Sequence, residues 1–238
     1  MTLDMIAFDA DDTLWHGEVH YREAQAELQT ILSPWCSPAE TERVMDRLDM
    51  QNLPLYGYGV KAFTLSMMEA AVALSEGEIK GAQIGQILAL GRRMLEAEVR
   101  LRPNVHQALR ALSQTHRLIV ITKGDLLDQT EKVERSGLAH YFSGVEVVNK
   151  KTPEIYQAIL DRYQVIPQNF LMIGNSLPSD VIPVLALGGK AIHIPADTTW
   201  AHEMVDHFDT GQPGFYELED LAQLPDFIHR HFPPAVRG

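Results

Sequence analysis

The chain has 238 residues, of which 45% are hydrophobic, a formal net charge of −12 and one cysteine, Cys36. This size suits one large domain, or a core with a smaller insert. The acidic balance argues against a nucleic-acid partner, because such proteins need clustered Lys and Arg to neutralise phosphates. One cysteine excludes an intrachain disulfide framework and is typical of a reducing compartment. With no basic leader and no apolar run long enough to span a bilayer, we expect a cytoplasmic protein without a membrane partner.

Five short apolar runs predict the strands of a buried sheet. They are rich in Ile, Val and Leu and are bounded by polar or turn residues, as in strands covered on both faces. The runs are 3–8, 118–122, 145–148, 170–173 and 191–194. Segments with helical periodicity lie between the later runs, at 103–113, 126–135 and 153–163. This alternation predicts an α/β core with a parallel sheet.

The stretch between the first two runs has no comparable strand pattern and is helical throughout. We therefore predict a core made of residues 1–16 and 100–238 and an inserted helical domain, residues 17–99. Within the insert, Pro54 to Gly59 interrupts the helical pattern and predicts a loop. At the other end of the chain, the stretch 215–232 predicts one or two amphipathic helices. His193 and His202 do not recur with acids at a zinc-site spacing, and we interpret both as structural.

The first predicted strand ends in Asp9-Ala10-Asp11-Asp12-Thr13. Several carboxylates then lie at the carboxyl edge of a parallel sheet, where open α/β folds bind their ligands. Repulsion between Asp9 and Asp11 costs stability unless a cation compensates it. Asp9 suits a nucleophile that attacks phosphorus, and Asp11 suits an acid that protonates the leaving oxygen and later activates water. Asp and Thr also cap turns, so this cluster alone is compatible with a purely local role.

With these residues, the chain resembles the haloacid dehalogenase-like superfamily, whose first motif is an apolar strand followed by Asp-x-Asp-x-Thr. Asp9, Asp11 and Thr13 match that motif. The resemblance implies a Rossmann-like parallel sheet with helices on both faces and an all-helical cap inserted between motifs one and two. It also implies Mg²⁺ as the cofactor and phosphoryl transfer as the chemistry.

The second and third motifs of the superfamily also have counterparts. A strand ending in Thr122, followed by Lys123 and Gly124, matches the second, and it implies that the Thr122 hydroxyl and the following backbone N–H groups hold phosphoryl oxygens. The third is a lysine ahead of a helix, for which Lys150 and Lys151 are candidates. Such a lysine can pair with Asp9 and offset charge at the phosphoryl group. We favour Lys151, and Lys150 stays an alternative.

The fourth motif is an apolar strand ending in Gly-Asp with a further Asp, and here it reads Gly174-Asn175 and then Asp180. Asn175 stands where many relatives carry Asp. Its amide oxygen can ligate a hard cation without adding charge. The resemblance implies that Mg²⁺ is held by Asp9, the backbone carbonyl of Asp11, Asn175 and Asp180. Asp180 can act directly, through water, or by pairing with the motif lysine.

The predicted function is a magnesium-dependent phosphatase that hydrolyses a small phosphate monoester through an aspartyl-phosphate. Asp11 argues against a dehalogenase, because halide leaves without needing a proton. A phosphotransferase or phosphomutase on the same core and a non-catalytic phosphate-binding module stay open.

Substrate selection is predicted to involve the aromatic stretch of the insert. Tyr56 and Tyr58 lie among glycines and suit a ring or sugar, while Lys61 suits a second anionic group. An interhelical turn with partly buried tyrosines is the alternative. Together with Thr13, Lys123 and Gly124, these residues form the predicted substrate-binding set.

Overall fold

The computed structural model describes residues 2–196, 205 and 207–233, so His202 lies outside the described residues. The chain divides into two compact units. One comprises Met1–Glu18, Val99–Thr122 and Gln129–Gly238, and the other Val19–Glu98 and Lys123–Asp128. The second unit thus includes a segment, 123–128, that the sequence assigns to the core. None of the described helices is long and apolar enough to cross a membrane.

The first unit is built on a six-stranded sheet. Its strands are β1 (Met5–Phe8), β2 (Arg117–Lys123), β3 (Val145–Val148), β4 (Phe170–Gly174), β5 (Lys190–His193) and β6 (Phe215–Glu217). Their spatial order is β3-β2-β1-β4-β5-β6. The pairs β1–β2, β1–β4, β4–β5 and β5–β6 are parallel. The predicted α/β fold with a Rossmann-like parallel sheet is confirmed.

Helices cover both faces of this sheet, which explains why its strands are continuous apolar runs. They are α5 (Val105–Ser113), α6 (Leu126–Arg135), α7 (Pro153–Tyr163), α8 (Ile182–Ala186) and α9 (Leu224–His231). Ile6 and Phe8 pack in the cluster that includes α5 and α9. Met5 and Ala7 pack in the opposite cluster, which includes α7. Alternate residues of β1 therefore face opposite layers.

The second unit is helical. It contains α1 (Glu18–Leu32), α2 (Pro38–Tyr56), α3 (Val60–Leu74) and α4 (Gly81–Glu96). Its own hydrophobic cluster includes Leu28, Met45, Met67 and Leu90. Because this cluster is separate from those of the sheet, the unit has a core of its own.

Two local predictions are wrong. Pro54 lies inside α2, so the loop is limited to residues 57–59. This proline cannot donate the intrahelical hydrogen bond to the carbonyl of Met50, and the helix ends two residues later, at Tyr56. The stretch 215–232 contains strand β6 as well as α9. Phe215 packs with Val181 and Ala191, and a strand of three residues is too short to show a period.

Candidate active site

Asp9 and Asn175 follow the two central strands of the sheet. Asp9 comes directly after β1, and Asn175 comes directly after β4. The order of the sheet reverses between these strands, since β2 and β3 extend to one side and β5 and β6 to the other. Ligands of open α/β sheets bind outside the carboxyl ends of the strands at such a point. The residues predicted from the first and fourth motifs therefore meet at the expected edge.

Lys151 forms a buried ion-pair cluster with two acids. Its Nζ lies 2.5 Å from Asp9 Oδ1 and 2.6 Å from Asp180 Oδ1, and its side chain is 1% exposed. Lys150 is exposed. The structure therefore brings Lys151, and not its neighbour, to Asp9.

Two carboxylates share this one ammonium, so their charges are only partly compensated. Burial raises the pKa of Asp9 to about 7, and the charge of Asp180 adds to that rise while Lys151 opposes it. Burial alone would lower the pKa of Lys151, but the carboxylates of Asp180 and Asp9 raise it above its ordinary value. The lysine thus stays charged at neutral pH, while Asp9 accepts a proton more readily than an ordinary aspartate.

Asp180 is held by the turn that follows β4. It lies in the π-helical turn Leu177–Val181, and its Oδ2 accepts a hydrogen bond from Ser176 N at 3.0 Å. A Cβ at Gly174 would clash with this carboxylate, so only glycine lets Asp180 fold back over the strand end. Tyr156 supports the turn by donating to the carbonyl of Ser179 at 3.0 Å. Both oxygens of Asp180 are thus engaged, Oδ1 by Lys151 and Oδ2 by Ser176.

Oxygen atoms converge on the side-chain amide of Asn175. Its Oδ1 lies 3.0 Å from Thr13 Oγ1. The same amide atom lies 3.2 Å from the Asp11 carbonyl oxygen and 3.3 Å from Asp9 Oδ2. With the amide nitrogen at this place, Asn175 donates to the Asp11 carbonyl and to Asp9. With the amide oxygen there, the same three oxygens would face a cation bound between them.

This donor set fits a hard divalent cation. In octahedral coordination at about 2.1 Å, neighbouring oxygen ligands of Mg²⁺ lie about 3 Å apart, close to the separations around Asn175. Among the described residues, no group of three or more His, Cys, Asp or Glu side chains is arranged to hold a metal. A site here would therefore use a carbonyl and an amide beside the Asp9 carboxylate. His193 supports the arrangement, because its Nε2 donates to the Asn175 carbonyl at 3.0 Å.

The Asp11 carboxylate is held by three donors that the sequence did not indicate. Trp15 Nε1 and Lys132 Nζ each lie 2.8 Å from its Oδ1. Gln129 Nε2 lies 2.8 Å from its Oδ2. Although burial opposes ionisation, Lys132 and the hydrogen bonds from Gln129 and Trp15 lower the pKa of Asp11.

The residues of the second motif fall in different settings. Thr122 is buried, and its hydroxyl donates to Gln129 Oε1 at 3.3 Å. The backbone of Gly124 has a φ of 143°, a conformation that residues with a side chain rarely adopt.

Thr13, from the first motif, is fully buried between Asp9 and Asn175. Its hydroxyl therefore supports those two residues in the structure.

The aromatic stretch of the helical unit contacts the segment that follows β2. Lys123 Nζ lies 4.5 Å from the centre of the Tyr58 ring. Lys61 forms an ion pair with Asp125 at 2.8 Å. Tyr56 points elsewhere, because its hydroxyl donates to Glu69 at 2.6 Å. The structure thus groups Tyr58 and Lys61 with residues 123–125 and separates Tyr56 from them.

Comparison with known proteins places the chain in a family. A model of the haloacid dehalogenase-like hydrolases matches residues 3–188. The chain belongs to this family. A crystal structure of a haloacid dehalogenase-like hydrolase from Xanthomonas campestris superposes on it with a TM-score of 0.86 and 35% identity, covering 96% of this chain and 91% of that one. The prediction of a haloacid dehalogenase-type hydrolase is confirmed.

Curated relatives of this family member are phosphatases. The N-acylneuraminate-9-phosphatase of Rattus norvegicus is 25% identical over 94% of this chain and 92% of that protein. The glyceraldehyde 3-phosphate phosphatase of Methanothermobacter thermautotrophicus is 28% identical over 53% of this chain. That alignment spans 58% of the archaeal protein, less than two thirds of its length.

Proposed function

We propose that this haloacid dehalogenase-like hydrolase is a Mg²⁺-dependent phosphatase that hydrolyses a small phosphate monoester through an aspartyl-phosphate on Asp9. The observation that carries the proposal is the setting of the Asp9 carboxylate. One of its oxygens contacts Lys151, and the other lies 3.3 Å from the side-chain amide of Asn175, which in turn lies 3.2 Å from the carbonyl of Asp11. The phosphatase names of the curated relatives support the same reaction class.

In the first step, an Asp9 carboxylate oxygen attacks the phosphorus and the bond to the leaving oxygen breaks. Asp11, which takes up a proton when the phosphate dianion binds beside it, gives that proton to the leaving oxygen, so an alcohol leaves. Lys151 offsets the charge that develops on the phosphoryl oxygens. The Thr122 hydroxyl and the backbone N–H groups of Lys123 and Gly124 hold those oxygens in this proposal.

In the second step, water attacks the phosphorus of the aspartyl-phosphate. Asp11, now ionised, takes a proton from the water, and the bond between phosphorus and the Asp9 oxygen breaks. Inorganic phosphate leaves, and Asp9 and Asp11 return to their starting states. The low pKa of Asp11 in the free protein favours the base that this step needs.

Asp9, the Asp11 carbonyl and Asn175 would hold the magnesium, with Asp180 acting through Lys151. When bound, Mg²⁺ supplies the positive charge that brings a phosphate dianion next to a carboxylate. The single cysteine and acidic charge support a small-molecule partner in a reducing, cytoplasmic setting.

Release of phosphate from a panel of monoesters, including p-nitrophenyl phosphate, tests the proposal. We expect turnover that needs Mg²⁺ and stops when the metal is chelated. Turnover that persists in excess chelator would contradict the role of the metal. Absence of turnover across the panel despite Mg²⁺ binding would favour a phosphate-binding module.

Magnesium affinity is expected to rise with pH through about 7. In the metal-free protein the pKa of Asp9 is raised to about 7, and a protonated carboxylate does not ligate Mg²⁺. A proton therefore competes with the metal below that pH, and we expect an affinity about tenfold weaker at pH 6 than at pH 8. Titration calorimetry measures this change and the proton released. The Asp9→Asn variant is the control, and an equal pH dependence in it would assign the proton to another group.

Substrate selection is assigned in this proposal to Tyr58 and Lys61, beside residues 123–125. The Tyr58→Leu change removes the contact between the ring and the Lys123 ammonium, a type of contact that contributes about 0.5–2 kcal/mol. We expect kcat/KM for the best ester of the panel to fall about tenfold, and for p-nitrophenyl phosphate less than about twofold. Tyr56→Leu, the matched control, is expected to affect neither substrate. Equal losses for the two esters in Tyr58→Leu would contradict this role.

A further inference from the structure

The helix that follows β2 carries two side chains that reach Asp11. Gln129 and Lys132 lie three positions apart on α6, so they share one face of the helix. Gln129 is 2% exposed, and the side chain of Lys132 is 13% exposed. Because Gln129 is buried and Lys132 is largely buried, packing leaves these side chains few alternative orientations and holds them against Asp11.

Gln129 also links Asp11 to the second motif. Its Oε1 accepts from the Thr122 hydroxyl at 3.3 Å, while its Nε2 donates to Asp11 Oδ2 at 2.8 Å. One amide therefore orients both the hydroxyl assigned to the phosphoryl group and the carboxylate assigned to proton transfer. An amide provides a donor and an acceptor in fixed relation, which a carboxylate or an ammonium at this position would not.

The opposite side of Asp11 is closed by the chain itself. Trp15, which is 1% exposed, donates to Oδ1. A Cβ at Gly17 would lie 3.0 Å from Asp11 Oδ1 and 3.1 Å from Asp11 Cβ. The carboxylate thus lies between the backbone at Gly17 and the face of α6 that carries Lys132.

Proton transfer to a leaving oxygen depends on orientation, because a donor displaced by about 1 Å costs on the order of 100-fold in rate. We propose that Lys132, together with Gln129, is a positioning residue that holds the Asp11 carboxylate in the orientation for proton exchange with the leaving oxygen. This role rests on the proposed phosphatase function. It concerns leaving groups that need a proton, such as the alkoxide of an alkyl phosphate, and not those that depart as stable anions.

Comparison of two ester classes tests the role of Lys132. The kcat/KM value reports the steps through departure of the leaving group, so hydrolysis of the aspartyl-phosphate does not enter it. For Lys132→Met we expect kcat/KM to fall about 100-fold with an alkyl phosphate, the contribution typical of a positioned acid. With p-nitrophenyl phosphate we expect a loss of less than about fivefold, because its leaving group needs little protonation.

Three further variants complete the experiment. Arg135→Met, an exposed cation on the same helix, is the matched control and is expected to leave both ester classes unchanged. Lys132→Arg is expected to recover part of the activity on the alkyl ester. In an Asp11→Asn background, Lys132→Met is expected to cause no further loss on that ester, because the group it orients is already gone.

The outcomes separate this role from the phosphatase function. Equal losses on both ester classes, or a full further loss in the Asp11→Asn background, would overturn the positioning role and leave the function intact. No turnover by the unmodified protein with either class would overturn the proposed function, and the positioning role with it. If Lys132→Met does not fold, as judged by its circular dichroism, Lys132→Gln is measured against the same criteria.

Discussion

Asp9→Asn is expected to lower kcat by about 10⁴-fold or more on every ester that the protein hydrolyses, because an amide oxygen does not form the acyl-phosphate. The change is nearly isosteric and leaves Lys151 paired with Asp180, so the fold should persist. Asp4→Asn is the matched control, since Asp4 precedes β1 and is exposed. Phosphate release at saturating ester measures the effect in both variants.

Chemical trapping tests the same residue independently. Borohydride reduces an aspartyl-phosphate to homoserine, so a reaction quenched in this way should place homoserine at position 9. Homoserine at another acidic residue, or activity of Asp9→Asn near that of the unmodified protein, would show that Asp9 is not the nucleophile. Mass analysis of peptides locates the product in either case.

Lys151→Met is expected to lower both stability and activity. It leaves the carboxylates of Asp9 and Asp180 buried without their shared cation, and breaking a buried pair in this way costs about 3–5 kcal/mol. It also removes the charge that offsets the phosphoryl group, for which we expect kcat to fall about 10²- to 10³-fold. Urea unfolding and phosphate release measure the two effects.

The loss of stability in Lys151→Met should depend on pH. Burial already raises the pKa of Asp9 to about 7 with the lysine present, and removing the cation raises it further. Since the folded-state pKa then lies above the unfolded value of about 4, ionisation destabilises the fold as pH rises. The deficit relative to the unmodified protein is therefore expected to be small near pH 5 and largest above pH 7.

Two other variants decide whether this explanation is correct. Adding Asp180→Asn to Lys151→Met should restore part of the stability, because one of the two uncompensated charges is gone, but it should not restore activity. Lys150→Met should have little effect on either, since Lys150 is exposed. A larger loss of activity in Lys150→Met than in Lys151→Met would reverse the assignment of the motif lysine.

The sheet was predictable because its strands follow a simple rule. Strands covered on both faces require unbroken apolar runs, and those runs lie within one or two residues of the observed β1 to β5. The helices α6 and α7 were predicted to the residue, because a clear apolar period and, in α7, the cap at Thr152 define their ends. Strand β6 was missed, because three residues pair with β5 without any period of their own.

For the candidate site, the sequence alone determined which residue types stand at the ends of the strands: Asp9 and Asp11 after the first, Thr122 at the second and Asn175 after the fourth. Tertiary structure decided the rest. Lys150 and Lys151 are adjacent and chemically identical, and only the packing of the segment before α7 brings one ammonium to Asp9. Gln129 and Lys132 look like ordinary polar residues of an amphipathic helix. Their contact with Asp11 arises because the fold brings α6 to the residues that follow β1, more than 100 residues away in the chain. No local sequence pattern predicts a contact across such a separation.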